Sequence, residues 1–178
     1  VRFKITVSRQ EWSSPAGELK EYATAETPHG VARLERKRAT VAGRGYLQAG
    51  MEEWRISIAE SARLTIHDLG VPGFASRNFA KNGLSGELDG KPVSVEVRSS
   101  VFRSKRCVCV KSAESVFVFS PYRMGVKLSV HGTPVEFIRD AGGEWESGPI
   151  PAEAILIICL FEWAMLDFFL GTPVMRSL

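Results

Sequence analysis

The chain has 178 residues, the size of one domain and too short for two comfortable ones. Hydrophobic residues make up 44% and charged residues 24%, which excludes a disordered or fibrous chain. Lys plus Arg (23) against Asp plus Glu (20) leaves +3, too mild for a dedicated nucleic-acid binder.

The chain begins with an alternating segment, Arg2 to Ser8, that puts Phe3, Ile5 and Val7 on one face of a strand. It lacks the apolar run and cleavage site of a secretory signal. Residues 19–27 and 31–41 read as further strands, separated by the turn Pro28-His29-Gly30. Residues 53–58 and 63–69 alternate again, and residues 70–83, with Pro72 and several Gly and Asn, form the longest loop. Asp89-Gly90 joins 84–88 to 92–98 as a tight hairpin, because both central positions favour positive φ. Strands are then expected over 101–111, 115–120, 126–130 and 133–138. The last two are joined around His131-Gly132, which echoes Asp89-Gly90 as a repeated turn solution or a duplicated hairpin.

After Gly148-Pro149-Ile150-Pro151 comes an apolar stretch, 152–171, bounded by Pro151 at its start and by Gly171 and Pro173 at its end. As one helix it would be about 29 Å long, close to a bilayer core. Two readings compete. A membrane span would explain the apolar run, but Glu162 and Asp167 lie inside it and only Arg176 follows. A helix buried on all sides by protein explains it without that cost. In that setting Glu162 and Asp167 must pair with an Arg or reach water near a rim, or else line a pocket.

About ten short strands and one apolar helix need a common solution. A sheet of that size must close or be covered, and the helix must be buried. The expected fold is therefore a single all-β domain, 1–178: a closed antiparallel β-barrel wrapped around a buried C-terminal helix at 152–171. The helix stretch Ala154-Ile155-Leu156-Ile157-Ile158-Cys159-Leu160-Phe161, continuing through Leu166-Asp167-Phe168-Phe169, resembles the end of the phospholipid scramblases. Together with the hairpin order it makes the chain similar to the tubby-like superfamily, which also includes plant LURP-one-related proteins. The resemblance implies a twelve-stranded barrel threaded by the helix, and phosphoinositide or membrane lipid as a ligand class. The scramblase Pro-rich segment and calcium loop have no counterpart here, and no residue role is carried over.

Charge is uneven. Residues 1–140 hold 22 basic and 15 acidic residues, whereas residues 141–178 hold five acids and one Arg. Arg33, Arg36, Lys37, Arg38 and Arg44 form one basic run; Arg98, Arg103, Lys105, Arg106 and Lys111 form another with no acid among them. Side chains two apart on a strand share a face, so either run could present a strip to lipid phosphates, each cation contributing about 1 kcal/mol. Outer-face charge that guards strands against aggregation accounts for the same pattern, and nucleic acid is the third option. Trp12, Trp54, Phe79 and Phe102 could add membrane contacts or belong to the core.

Signals for chemistry are sparse. Cys107-x-Cys109 does not have structural-zinc spacing and reads as two small buried hydrophobes. His67 and Asp68 are adjacent and face opposite ways, His131 sits in a turn, and no Gly-x-Ser-x-Gly elbow or phosphate loop is present. No metal or cofactor is expected. The three cysteines cannot build a disulfide framework, which suggests a reduced, cytoplasmic protein peripheral to a membrane. The favoured function is a non-catalytic module that contacts an anionic lipid surface through Arg33, Arg36, Arg38, Arg44, Arg98, Arg103, Lys105 and Arg106. A protein-interaction scaffold is the alternative, and an enzyme using a pocket near His67 or His131 is the third reading.

Overall fold

Alternating apolar and polar residues dictate strands that bury one face, and the structure follows that rule through most of the chain. The computed structural model describes residues 1–5, 8–9, 18–38, 51–59, 62–70, 82–132, 136–146 and 148–171. Arg44, Trp12, Phe79, residues 133–135 and most of the 70–83 loop lie outside these residues.

Among the described residues thirteen strand segments form one antiparallel sheet. They are β1 (Arg2–Lys4), β2 (Ser8–Arg9), β3 (Leu19–Thr27), β4 (Gly30–Arg38), β5 (Met51–Ile58), β6 (Ala62–Gly70) and β7 (Leu84–Leu88). The series continues with β8 (Lys91–Arg98), β9 (Cys107–Lys111), β10 (Val116–Tyr122), β11 (Gly125–Val130), β12 (Glu136–Arg139) and β13 (Glu144–Glu146). From β2 to β13 each strand pairs with its neighbour in sequence. Of the expected strand 2–8, residues 6 and 7 lie outside the described residues; β1 pairs with β13, and β2 pairs with β3. The N-terminal segment therefore bridges the two edges of the sheet. With β1 and β2 taken as one strand, the result is a nearly closed barrel of twelve, which removes the edges an open sheet would expose.

Inward positions repeat every two residues: Ala32 and Leu34 on β4, Trp54, Ile56 and Ile58 on β5, Leu64 and Ile66 on β6, Val93, Val95 and Val97 on β8. Asp89 (φ +50°) and Gly90 (φ +78°) both take the left-handed conformation that the hairpin demands. At the other hairpin only Gly132 does (φ +85°), so the two turns are not the same solution. The strand expected from residue 101 starts only at Cys107, because residues 101–106 form a loop with a 3₁₀ turn at Arg103–Lys105. β13 is too short for alternation to reveal.

The apolar C-terminal stretch is shorter as a helix than its composition suggests. Helix α1 spans Ala152–Trp163, about 18 Å, and a second turn of helix, α2, spans Phe168–Gly171. Every residue from Ala154 to Phe161 is 0% exposed, which explains why α1 has no polar face. The Leu166 amide bonds to the Phe161 carbonyl and the Met165 amide to the Glu162 carbonyl, with Met165 at φ +53°. These paired bonds form a Schellman stop. Met165 occupies the left-handed position that usually holds Gly, so nothing in the residue types announced the stop. Among the described residues no helix is long and apolar enough to cross a membrane.

Because the strands alternate in direction, the connections fall at two ends. The hairpin end carries the turns at 28–29, 89–90 and 131–132, and the loop end carries the connections β4–β5, β6–β7, β8–β9, β10–β11 and β12–β13. Just before α1, Ile150 accepts a 2.6 Å hydrogen bond from His29 Nε2 at the hairpin end. α1 lies against β5 and β6, and its Phe161 stacks on Phe119 of β10 and meets Trp145 of β13 edge-on. α1 therefore ends toward the loop end.

Candidate functional site

The structure separates the basic residues that the sequence groups together. Arg33 is exposed on β4 and pairs with Glu21 at 2.7 Å. Arg36 is buried. Its Nε and Nη2 donate to Glu52 at 2.7 and 2.9 Å, and its guanidinium lies 4.1 Å from the Tyr22 ring centre. Trp54 Nε1 donates to the same carboxylate at 3.0 Å. The expectation that Arg36 belongs to a surface strip is therefore corrected: it shares a face with Ala32 and Leu34, and a carboxylate from the next strand meets its charge inside the barrel. Trp54 likewise belongs to the core, at 3% exposure. Arg38 stands opposite Glu52 in the β4–β5 register.

Arg106 is also buried, and its role is to tie backbone segments together. Its Nε donates to the Ser100 carbonyl and its Nη2 to that of Val101, at 2.7 and 3.1 Å. Its Nη1 reaches Leu170 and Gly171 carbonyls at 3.2 and 2.7 Å, completing the C-terminal end of α2. The β8–β9 loop and the segment after α1 are thereby locked together. Arg103 adds a third partner, donating 2.9 Å to the Arg123 carbonyl in the β10–β11 turn. Arg98, Arg103 and Lys105 stay exposed, with Lys105 5.4 Å from the Phe102 ring centre.

What these contacts assemble is an apolar surface at the loop end. Seven large hydrophobic residues are exposed among the described residues, and five of them lie here: Val101 (83%), Phe102 (65%), Met124 (83%), Met165 (47%) and Phe168 (50%). They come from the three segments that Arg103 and Arg106 join, and Arg103, Lys105 and Arg123 stand beside them. Of these residues the sequence singled out Phe102, Arg103 and Lys105 but not Val101, Arg123, Met124, Met165 or Phe168. Met124 had a signal, an apolar residue in the tight turn Arg123-Met124-Gly125, where no core position exists. Met165 and Phe168 were hidden by the expectation of a continuous buried helix.

At the same end Glu162 and Asp167 share one guanidinium. Arg139 Nη1 donates to both Glu162 oxygens at 2.8 and 2.9 Å and Nη2 to Asp167 at 3.2 Å, while Trp145 Nε1 donates to Glu162 at 3.0 Å. Burial pushes the Glu162 carboxyl above its ordinary range; Arg139 and Trp145 oppose this, and Asp167 adds to the rise. Burial works against the Arg139 charge, but the two carboxylates outweigh it and hold the guanidinium above its usual value. Among the described residues no hydrogen-bond partner reaches the buried Arg139 Nε. Gly125 is required here because a Cβ would lie 1.9 Å from the Arg139 carbonyl oxygen. Of the two options expected for these acids, the structure has the Arg pair.

The residues proposed for catalysis are not brought together. His67 lies on the outer face of β6 in a shallow concavity of about 640 Å³ with Glu53, Arg55, Glu87 and Asp89, its Nδ1 3.9 Å from Glu53. Asp68 is exposed in a left-handed conformation, and His131 is at the hairpin end. Among the described residues no three His, Cys, Asp or Glu side chains converge as metal ligands. Cys107 and Cys109 are not buried as expected: they are half-exposed on the outer face of β9, whose inward residues are Val108 and Val110. Comparison with protein-family models, curated proteins and solved structures returns no match.

Proposed function

We propose that the protein is a non-catalytic module that docks its loop end onto an anionic membrane surface. The observation that carries this reading is the meeting of five exposed hydrophobic residues with Arg103, Lys105 and Arg123 on three segments locked by hydrogen bonds. Apolar tips enter the headgroup–acyl boundary while neighbouring cations meet lipid phosphates, and each half of the arrangement is weak alone. An exposed apolar patch rimmed by charge also costs solubility unless something covers it. Met165 adds to the case: a half-exposed Met in a left-handed position forgoes the stability a Gly would bring.

The contact set differs from the two basic strands first expected. Arg98, Arg103 and Lys105 remain in it, Arg36 and Arg106 leave it, and Arg33 is too far round the sheet, with β5, β6 and β7 between. A nearly closed barrel whose core takes in an apolar helix is also the arrangement the tubby-like resemblance implies, which supports a barrel threaded by its helix and a lipid ligand. Placement at a cytoplasmic membrane face belongs to the same proposal.

Sedimentation with phosphatidylcholine vesicles, with and without phosphatidylserine, tests it. Binding is expected only with the anionic lipid and should fall steeply with salt. Replacing Arg103 and Lys105 together by Ala should weaken it about 30-fold, from about 1 kcal/mol per cation. Phe102→Asp should abolish it with the fold intact by circular dichroism. Binding indifferent to lipid charge and salt, or no binding to either vesicle, overturns the reading.

A further inference from the structure

Cys107 and Cys109 lie two apart on the outer face of β9 with their sulfurs 3.6 Å apart. β9 is paired to β8 along its length and to β10 from Val108 onward, so its backbone is held extended. Extended residues two apart have Cα atoms about 6.7 Å apart, at the upper limit for a disulfide and beyond the favoured 5.5–6 Å. Direct closure to a 2.05 Å bond would require the strand to buckle against both neighbours. A single atom bound to both sulfurs requires no such movement. With bonds of about 2.3 Å, as zinc makes to thiolate, a 3.6 Å separation subtends about 103° at the bridging atom, near the tetrahedral angle.

We propose that Cys107 and Cys109 form a two-sulfur site for a soft, thiophilic metalloid of the trivalent arsenic class. Such a centre is satisfied by two thiolates and a substituent it carries itself, which suits a site where no three His, Cys, Asp or Glu side chains converge among the described residues. A metal that takes four protein ligands fits two sulfurs less well. Around the sulfurs, Arg98 stands opposite Cys107 and Glu96 opposite Cys109, with Lys111 two residues on; Val116, Val118 and Ser120 of β10 add no charge. Glu96 is held by Lys111 at 2.7 Å, which keeps that carboxylate off the pair. Burial and the hydrogen bond with Cys107 push the Cys109 thiol up to about 11. Cys159 provides a contrast inside the same molecule: it is 0% exposed in α1 and out of reach.

Phenylarsine oxide is the probe. The arsenic–oxygen bond breaks, two sulfur–arsenic bonds form, and the two thiol protons leave with the oxygen as water; no electron is transferred. The full chain should take up one equivalent, seen as one adduct by intact mass. A dithiol such as dithiothreitol should release it, and excess monothiol should not. Cys107→Ser and Cys109→Ser should each make the adduct removable by monothiol, at least a tenfold loss of retention, with the β circular dichroism unchanged; Cys159→Ala should retain it. An adduct that still resists monothiol after either serine substitution, uptake lost with Cys159→Ala, or rapid closure of Cys107 and Cys109 to a disulfide in air overturns the assignment. None of these readouts involves lipid, so the outcome is independent of the membrane reading.

Discussion

The barrel contains two clusters built from the same parts, and they differ in one respect. In each, an Arg pairs with a Glu through two hydrogen bonds, a Trp Nε1 donates to that Glu, and the guanidinium lies over an aromatic ring: Arg36, Glu52, Trp54 and Tyr22 in one, Arg139, Glu162, Trp145 and Phe161 in the other. Side-chain exposures of 9% and 2% seal the first pair; the second is at 14% and 17% and adds Asp167, which is 44% exposed. Among the described residues the first cluster sets one cation against one anion, whereas the second sets one cation against two anions at the mouth of the barrel. The sealed cluster ties strands β4 and β5 together. The open one reaches solvent through Asp167.

The largest effect is expected at the sealed pair. Arg36→Ala removes the buried guanidinium that faces Glu52 and should cost about 3–5 kcal/mol in urea denaturation. Replacing both partners, Arg36→Met with Glu52→Leu, should recover most of it; if the double variant is no better than the single, the charge argument fails. Arg139→Ala should cost less, about 2 kcal/mol, because Glu162 can take up a proton and Asp167 already reaches water.

The clusters should also differ with pH. Burial raises the Glu162 carboxyl above its ordinary 4.5, so over the interval between that value and the raised one the native state holds a proton the unfolded chain has released. Its contribution is full below 4.5 and is lost as pH rises through the raised value. Glu162→Gln should remove that decline from the denaturation midpoint plotted against pH, and an unchanged curve would refute the assignment. The smallest effect should come from the Schellman stop. Met165→Gly should gain about 1 kcal/mol while weakening vesicle binding. A gain in stability with undiminished binding would show that Met165 is not part of the docking surface.

Much of the fold was legible because its cause is local. Turn residues and alternation placed β3 and β7 to the residue and β5, β6, β8, β10 and β11 within two positions, whereas β9 begins six residues later than expected and β13 was not expected. The Asp89-Gly90 turn needed only the steric freedom of those residues. A clue to the sealed cluster was local too. Arg36 shares a face with Ala32 and Leu34, and Glu52 shares one with Trp54 and Ile56, so a charge of each sign stood on an inward face. Parity alone does not turn that into a pair. A buried charge is tolerable only with its partner, and the partner is supplied by strand register.

By itself, then, the sequence determined the strands, the turn chemistry and the presence of an apolar helix too hydrophobic to face water. The tertiary structure decided which cations are free. Arg103 and Arg106 are three residues apart and chemically alike, yet one reaches solvent beside Phe102 while the other satisfies carbonyls of Leu170 and Gly171, more than sixty residues away. It also decided where α1 stops and that Met124, Met165 and Phe168 stand beside Phe102. The physical reason is the same throughout: steric preference and periodicity act over a few residues, whereas burial, ion pairing and surface patches depend on neighbours that only chain closure brings within reach.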